Sequence, residues 1–141
     1  MCIRDRNTLK DLETKIQIAS SEFLNDYPIA FIYECTLLEN SVMVLGSEKK
    51  RNILLIIKEC LHNVIKHAQA SEVSLKINMQ DSNLNIEIKD NGKGFDVENI
   101  SSKSNSFGLS NIQHRAQFIG GDLVIYSRLK QGTQINFSIP L

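Results

Sequence analysis

Apolar residues recur at three- and four-residue steps from Asn7 to Asn25 (Leu9, Leu12, Ile16, Ala19, Phe23), with Lys10, Asp11, Glu13 and Lys15 between them. That period predicts an amphipathic helix. Pro28 then forces an extended start, and Ile29 to Thr36 is rich in strand formers. Leu37 to Gly46 reads as a loop whose Val42, Met43 and Val44 are expected to pack. A second helix is predicted from Glu48 to His67, with Ser47 as its N-cap. Ile53, Ile57, Cys60, Leu61, Val64, Ile65 and Ala68 share one of its faces. Leu55 and Ile56 fall on the other side, so its first half is expected to be covered twice and only its second half to present polar groups.

Beyond this helix the period changes from 3.6 to 2. Val73, Leu75, Ile77 and Met79 alternate with polar residues, Asp81-Ser82-Asn83 makes a turn, and Leu84, Ile86 and Ile88 repeat the alternation. The pattern is a hairpin with one covered face. A further helix opens at Gly108, with Leu109, Ile112, Ala116 and Ile119 inward and Gly120-Gly121 as its stop. Two more strands follow, one lined by Leu123 and Ile125, the other by Ile135, Phe137, Ile139 and Leu141.

Two polar residues obey the parity of the buried rows. Asp90 continues the row Leu84, Ile86, Ile88, and Thr133 precedes the row beginning at Ile135. A buried carboxylate without partners is costly, so Asp90 must be hydrogen-bonded or stand at the mouth of a pocket. It suits either a turn that bonds the following amides or the exocyclic amine of a base such as adenine. On the second helix Glu59, Asn63 and Lys66 form one stripe, with His62 and His67 at its edges. A solvated helix face has no need of a carboxylate, an amide and a cation in that arrangement, although it tolerates them.

Bulk composition narrows the function classes. The chain has 141 residues, 42% hydrophobic and 23% charged, and zero formal net charge, which is one domain's length with no nucleic-acid footprint. Three cysteines without C-x-x-C spacing read as free thiols in a reducing compartment. No apolar run approaches the ~20 residues of a membrane span, and no signal peptide is present, so the cytoplasm is expected. The opening Met-Cys-Ile-Arg-Asp-Arg resembles translated adapter sequence, and on that reading the natural protein is expected to begin further upstream.

Gly92 and Gly94 permit close backbone approach after Asp90, but their spacing is not the dinucleotide fingerprint, and no P-loop motif is present. Asp96 to Phe107 is rich in Ser and Asn, as mobile loops are. Gly108-Leu109 then starts a helix, either a plain junction or a phosphate site made by free amides.

Taken in order, Glu-x-x-x-Asn-x-x-Lys-His-Ala, Asp-x-Gly-x-Gly-Phe, Gly-Leu-x-x-Ile-x-x-Arg, Gly-Gly, and Gly-Thr with a final Ile-Pro-Leu resemble the ATP-binding domain of bacterial sensor histidine kinases. These belong to the wider superfamily of gyrase, Hsp90 and MutL ATPases. The resemblance covers residues 47–141 and is greatest to the nitrate-sensor and DesK-like class, whose Tyr-Pro-Ile strand is matched by Tyr27-Pro28-Ile29. It implies an α+β fold of Bergerat type: a two-layer α/β sandwich, its mixed, mostly antiparallel sheet covered on one face by helices. It also implies a division into residues 1–26, a non-native start plus the tail of a dimerisation helix, and residues 27–141, the ATPase domain.

By the same resemblance the cofactors are ATP and Mg²⁺. Asn63 matches the metal-holding asparagine, and Glu59 the acidic residue that acts as base or orders water. Lys66 and His67 match a pair that contacts phosphates or ribose. Asp90 matches the adenine-reading aspartate, with Thr133 beside it. Gly92, Gly94, Gly108 and Leu109 match the loop and helix-start positions, and residues 96–107 the ATP lid. Asn111 departs from the pattern, standing where many relatives have another glycine. The histidines are His62, His67 and His114, none before Tyr27, so the phosphoacceptor is expected outside this chain and autophosphorylation unaided is not. Expected partners are ATP, the dimerisation and phosphoacceptor segment, and a response regulator, with no nucleic acid and no direct membrane contact. Two other readings use the same boxes: a stand-alone anti-sigma-type serine kinase, against which the N-terminal helix argues, and a nucleotide sensor that only binds, against which Glu59 and Asn63 weigh.

Overall fold

The computed structural model describes residues 8–37, 44–94 and 109–141. The chain runs α1 (Leu9–Leu24), β1 (Ala30–Thr36), α2 (Ser47–Asn63), a π-helical turn (Val64–Ala68), β2 (Glu72–Gln80), β3 (Asn83–Asp90), α3 (Leu109–Phe118), β4 (Asp122–Ser127) and β5 (Thr133–Pro140). The five strands form one sheet in the order β1-β2-β3-β5-β4. Only β1 and β2 are parallel; the other pairs are antiparallel. Helices α1, α2 and α3 cover one face; the opposite face carries polar residues, with the Gln134 amide bonded to Glu87 and Asn136, and the exposed Ile32, Val124 and Tyr126. This is the expected two-layer α+β sandwich.

The period-2 rows fall inward as their spacing predicts: Val73, Leu75, Ile77, Leu84, Ile86, Ile88, Ile135, Phe137 and Ile139 are all buried. The β2–β3 turn uses Asp81 (φ 52°) and Ser82 (φ 65°) in the left-handed region, the conformation a two-residue type I′ hairpin requires. The last strand pair places Asp90 directly opposite Thr133 in register, and Thr133 opposite Ser127.

Helix α1 departs from its simple reading. Thr8 caps it, its Oγ1 accepting the Asp11 N–H at 3.1 Å. Leu9, Leu12, Ile16 and Leu24 are buried in the same core as the sheet, but Ala19 is exposed and Phe23 only half-buried. Glu13, expected outside, is buried. The Tyr33 hydroxyl of β1 donates to Glu13 Oε2 at 2.5 Å, and Lys10 Nζ lies 3.0 Å from Oε1. A carboxylate supplied with two donors can turn inward. Asp11 likewise meets Lys50, a buried lysine of α2, at 2.6 Å. These pairs fix α1 against both β1 and α2.

Helix α2 begins one residue earlier than its spacing suggests. Gly46, not Ser47, occupies the N-cap, with extended backbone and no side-chain cap. Ile53 and Ile56 are both fully buried, as expected for a first half covered on two sides. Arg115 Nη1 on α3 donates to Asn52 Oδ1 at 3.2 Å, tying α3 to α2. Val44 does not pack; it is 74% exposed and bridges to Thr8 as an isolated β pair. Val42, Met43, the lid at 96–107 and Gly108 lie outside the described residues.

A β-carbon added at Gly46 meets nothing within 4 Å. Gly46→Asp therefore supplies the missing cap and a favourable charge at the helix start. An increase of about 0.5 kcal/mol in unfolding free energy is expected in urea titration.

Candidate functional site

The site is built where α2 changes its winding. From Val64 to Ala68 the helix makes one π turn, ended by Gln69 in the left-handed conformation (φ 53°). Hydrogen bonds from i to i+5 widen the turn, so each residue advances by less than the 100° of an α-helix. Asn63 and His67, four residues apart, are thereby brought closer to one line, and both border a single pocket. Lys66 turns out to solvent and does not border it. The flat stripe of Glu59, Asn63 and Lys66 that uniform winding predicts is broken at this point.

Across the pocket stand the ends of β3 and β5. Ile88 and Ile135 form its floor, with Val64, Ala68 and Leu109 as further apolar walls, and Asp90 and Thr133 close one end. The cavity between these residues measures about 90 Å³. Cys60 also borders it. Burial, followed by the nearby Glu59 charge, pushes that thiol up to about 12, so it stays neutral and packs as an apolar group.

Asp90 is only 7% exposed. Burial raises its carboxyl above the usual 3.8, and hydrogen bonds from the Gly92 and Thr133 backbones pull in the opposite direction. Gly92 N donates to Asp90 Oδ1 at 2.8 Å. The turn-aspartate role and the pocket-wall position thus coexist in one residue. Net destabilisation of its charged form leaves the carboxylate receptive to a further donor.

The backbone around Asp90 is crowded from two sides. A β-carbon on Gly92 would lie 2.2 Å from the Ala68 carbonyl oxygen; one on Gly132, at φ +82°, would lie 2.2 Å from the Asp90 carbonyl oxygen. Only glycine allows both approaches. Gly94 borders the pocket. The Lys93 N–H donates to Ala68 O at 2.6 Å, and Asn91 Oδ1 accepts the Ser71 and Glu72 amides at 3.0 Å each. The bend after β3 is thereby fastened to the end of the π turn and the start of β2.

Of the residues proposed from sequence, Asn63, His67, Asp90, Gly94, Leu109 and Thr133 meet around this pocket, and Gly92 lies just behind it against Ala68. Gly108 falls outside the described residues. Glu59 is half-buried and opens instead on the adjoining cleft between α2 and α3, with Lys58, His62 and Arg115. Asn91, Lys93 and Ser127 were not singled out from the sequence. Asn91 carried a signal, an asparagine directly after a strand and before a glycine, but its partners are about twenty residues away in the chain. Among the described residues no group of three or more His, Cys, Asp and Glu side chains could hold a metal ion. Of the donors on this side of the pocket, the Asn63 amide oxygen is the type a hard cation takes, whereas the His67 imidazole is not.

Residues 48–141 match the family described as "Histidine kinase-, DNA gyrase B-, and HSP90-like ATPase". The sensor histidine kinase YdfH of Bacillus subtilis (strain 168) is 39% identical over 99 residues, 70% of this chain and 24% of the relative. The sensor histidine kinase LiaS of the same strain is 30% identical over 132 residues, 94% of this chain and 35% of the relative. The chain thus spans roughly a quarter to a third of the length of these curated relatives. Among solved structures, the Erythrobacter litoralis EL346 blue-light activated histidine kinase superposes with a TM-score of 0.75 at 20% identity, over 95% of this chain and 42% of that one. That likeness shows the shared fold.

His67 is held below the ordinary histidine value of 6.5, first by burial and then by the neighbouring charges of Lys66, Lys93 and His62. The fold prefers its neutral form, so this group costs stability only as pH falls through 6.5 and below. An NMR titration is expected to place its midpoint below 6.5. Inorganic triphosphate in the pocket should raise that midpoint, because a bound anion favours the imidazolium.

Proposed function

The chain belongs to the histidine kinase-, DNA gyrase B- and HSP90-like ATPase family, and from that premise we propose that it binds ATP with Mg²⁺ as the catalytic domain of a sensor histidine kinase. The observation that carries the reading is the polarity of the pocket. A buried carboxylate closes one end, Asn63 and His67 border it from the opposing helix, and apolar walls lie between.

A purine base would lie between Ile88, Ile135 and the wall of α2, its amino group donating to Asp90. The phosphates would pass along the Asn63–His67 side, where an amide oxygen can take one coordination position of Mg²⁺ and the imidazole can meet a phosphate oxygen. When bound, Mg²⁺ supplies charge neutralisation of the phosphoryl oxygens. The protein's own contribution is positioning. The fastened bend at Asn91–Gly94 sets Asp90, and the π turn aligns Asn63 with His67. Lys66, at the outer edge, would meet phosphates from solvent. Leu109, with Gly108, would join the phosphate side at the start of α3.

Glu59 opens on the neighbouring cleft, so its proposed part lies with the acceptor side rather than with the nucleotide pocket. The acceptor itself would be a histidine of a dimerisation segment outside residues 1–141, and a response regulator would take the phosphoryl group from it. The chain by itself is therefore expected to bind ATP without labelling itself.

Calorimetry with ATP tests the assignment. Wild-type protein should bind ATP more tightly with Mg²⁺ than without it. Asp90→Asn should weaken binding by about 1.5–3 kcal/mol, the worth of a charge-assisted hydrogen bond. Asn63→Ala should abolish the Mg²⁺ enhancement while metal-free binding persists. Equal ATP affinity in Asp90→Asn would sink the reading.

A further inference from the structure

Asp90 is not alone at the base end of the pocket. Thr133 stands opposite it in register, and Ser127 of the edge strand stands opposite Thr133. Ser127 Oγ donates to the Gly132 carbonyl at 3.2 Å and lies 2.8 Å from Thr133 Oγ1. A hydroxyl has one proton and two lone pairs, whereas a carbonyl can only accept. Either oxygen could donate the short contact between the hydroxyls; with the Ser127 proton directed to Gly132, the donor is Thr133. Thr133 Oγ1 then meets the pocket with lone pairs only.

From this we infer that Ser127 is a positioning residue that makes Thr133 an obligate acceptor, and so sets the site against 6-oxo purine nucleotides. The inference rests on the ATP-site reading and adds the device that selects the base. The carboxylate of Asp90 and the oxygen of Thr133 together present acceptors to the base edge. The 6-amino group of adenine, with two N–H donors, can satisfy both, whereas a 6-oxo purine has only its N1–H donor there. A 6-oxo edge sets its own carbonyl oxygen against oxygens that cannot donate, and an unpaired polar group in a half-closed site is costly. The device is anchored on the backbone, because the Gly132 turn packs directly against the Asp90 carbonyl. Neither side chain has to be ordered by the ligand.

The test compares ATP with inosine triphosphate, its 6-oxo counterpart, by Mg²⁺-containing calorimetry on the whole chain. In Ser127→Ala, Thr133 is free to turn its proton to the ligand. The ratio of the two affinities should narrow by at least about fivefold, mainly through tighter inosine triphosphate binding. Ser127→Thr, which keeps the hydroxyl, should restore discrimination. In a Thr133→Val background Ser127→Ala should change the ratio no further, since the two residues act as one unit. Ser127→Cys, of nearly the same size but a weak donor, provides the same comparison should the alanine variant unfold. An unchanged ratio in these variants, with wild-type ATP binding intact, overturns the inference alone. Wild-type binding of neither nucleotide overturns the ATP-site reading and the inference with it.

Discussion

The structure is organised around one expensive group, a carboxylate at the end of an apolar strand row. Asp90 continues the parity of Leu84, Ile86 and Ile88, and the sheet carries it inside because a strand cannot change face without a break in pairing. Water is largely excluded, so the charge needs donors. The fold supplies the Gly92 and Thr133 amides, and that supply is incomplete, since burial still raises the carboxyl above its ordinary value. Much of the neighbouring architecture follows from holding this group in place. Glycines allow backbone to approach within touching distance at positions 92 and 132, and Asn91 fastens the bend to the start of β2.

Parity made this legible. Period-2 spacing alone assigned Asp90 and Thr133 to the covered face, and both occupy it. The apolar face of α2, the helix at Leu109 and the hairpin at 81–83 were equally readable, because each depends on contacts a few residues apart. The mixed sheet and its covering helices were implied by the resemblance that the ordered motifs carry, and the observed strand pairing and the likeness to solved histidine kinase structures bear that out. The positions of Asn63 and His67 beside one pocket could be read only approximately, since uniform α-helical winding puts Lys66 where His67 stands.

What escaped the sequence depends on long-range partners. The π turn arises where α2 ends against the bend after β3, and the Lys93 amide donates to Ala68. No local composition announces it. Glu13 reads as a surface residue until Tyr33 and Lys10 are placed on its carboxylate, and Lys50 until it meets Asp11. Those pairs make α1 a layer of the same core that supports the site, with Leu9, Leu12, Ile16 and Leu24 inside it. The N-cap at Gly46 was missed for a different reason: Ser47 has the preferred side chain, but the chain turns one residue earlier.

The central claim is that one adenine nucleotide spans the pocket from Asp90 to Asn63. Amide chemical-shift mapping with a non-hydrolysable ATP analogue and Mg²⁺ tests it most directly, because it reports both ends in one spectrum. The account predicts perturbations concentrated at 88–94 and 133–135 on the base side and at 63–68 on the phosphate side. Shifts centred on the α2–α3 cleft around Lys58, His62 and Arg115, with Asp90 and Thr133 silent, would contradict it.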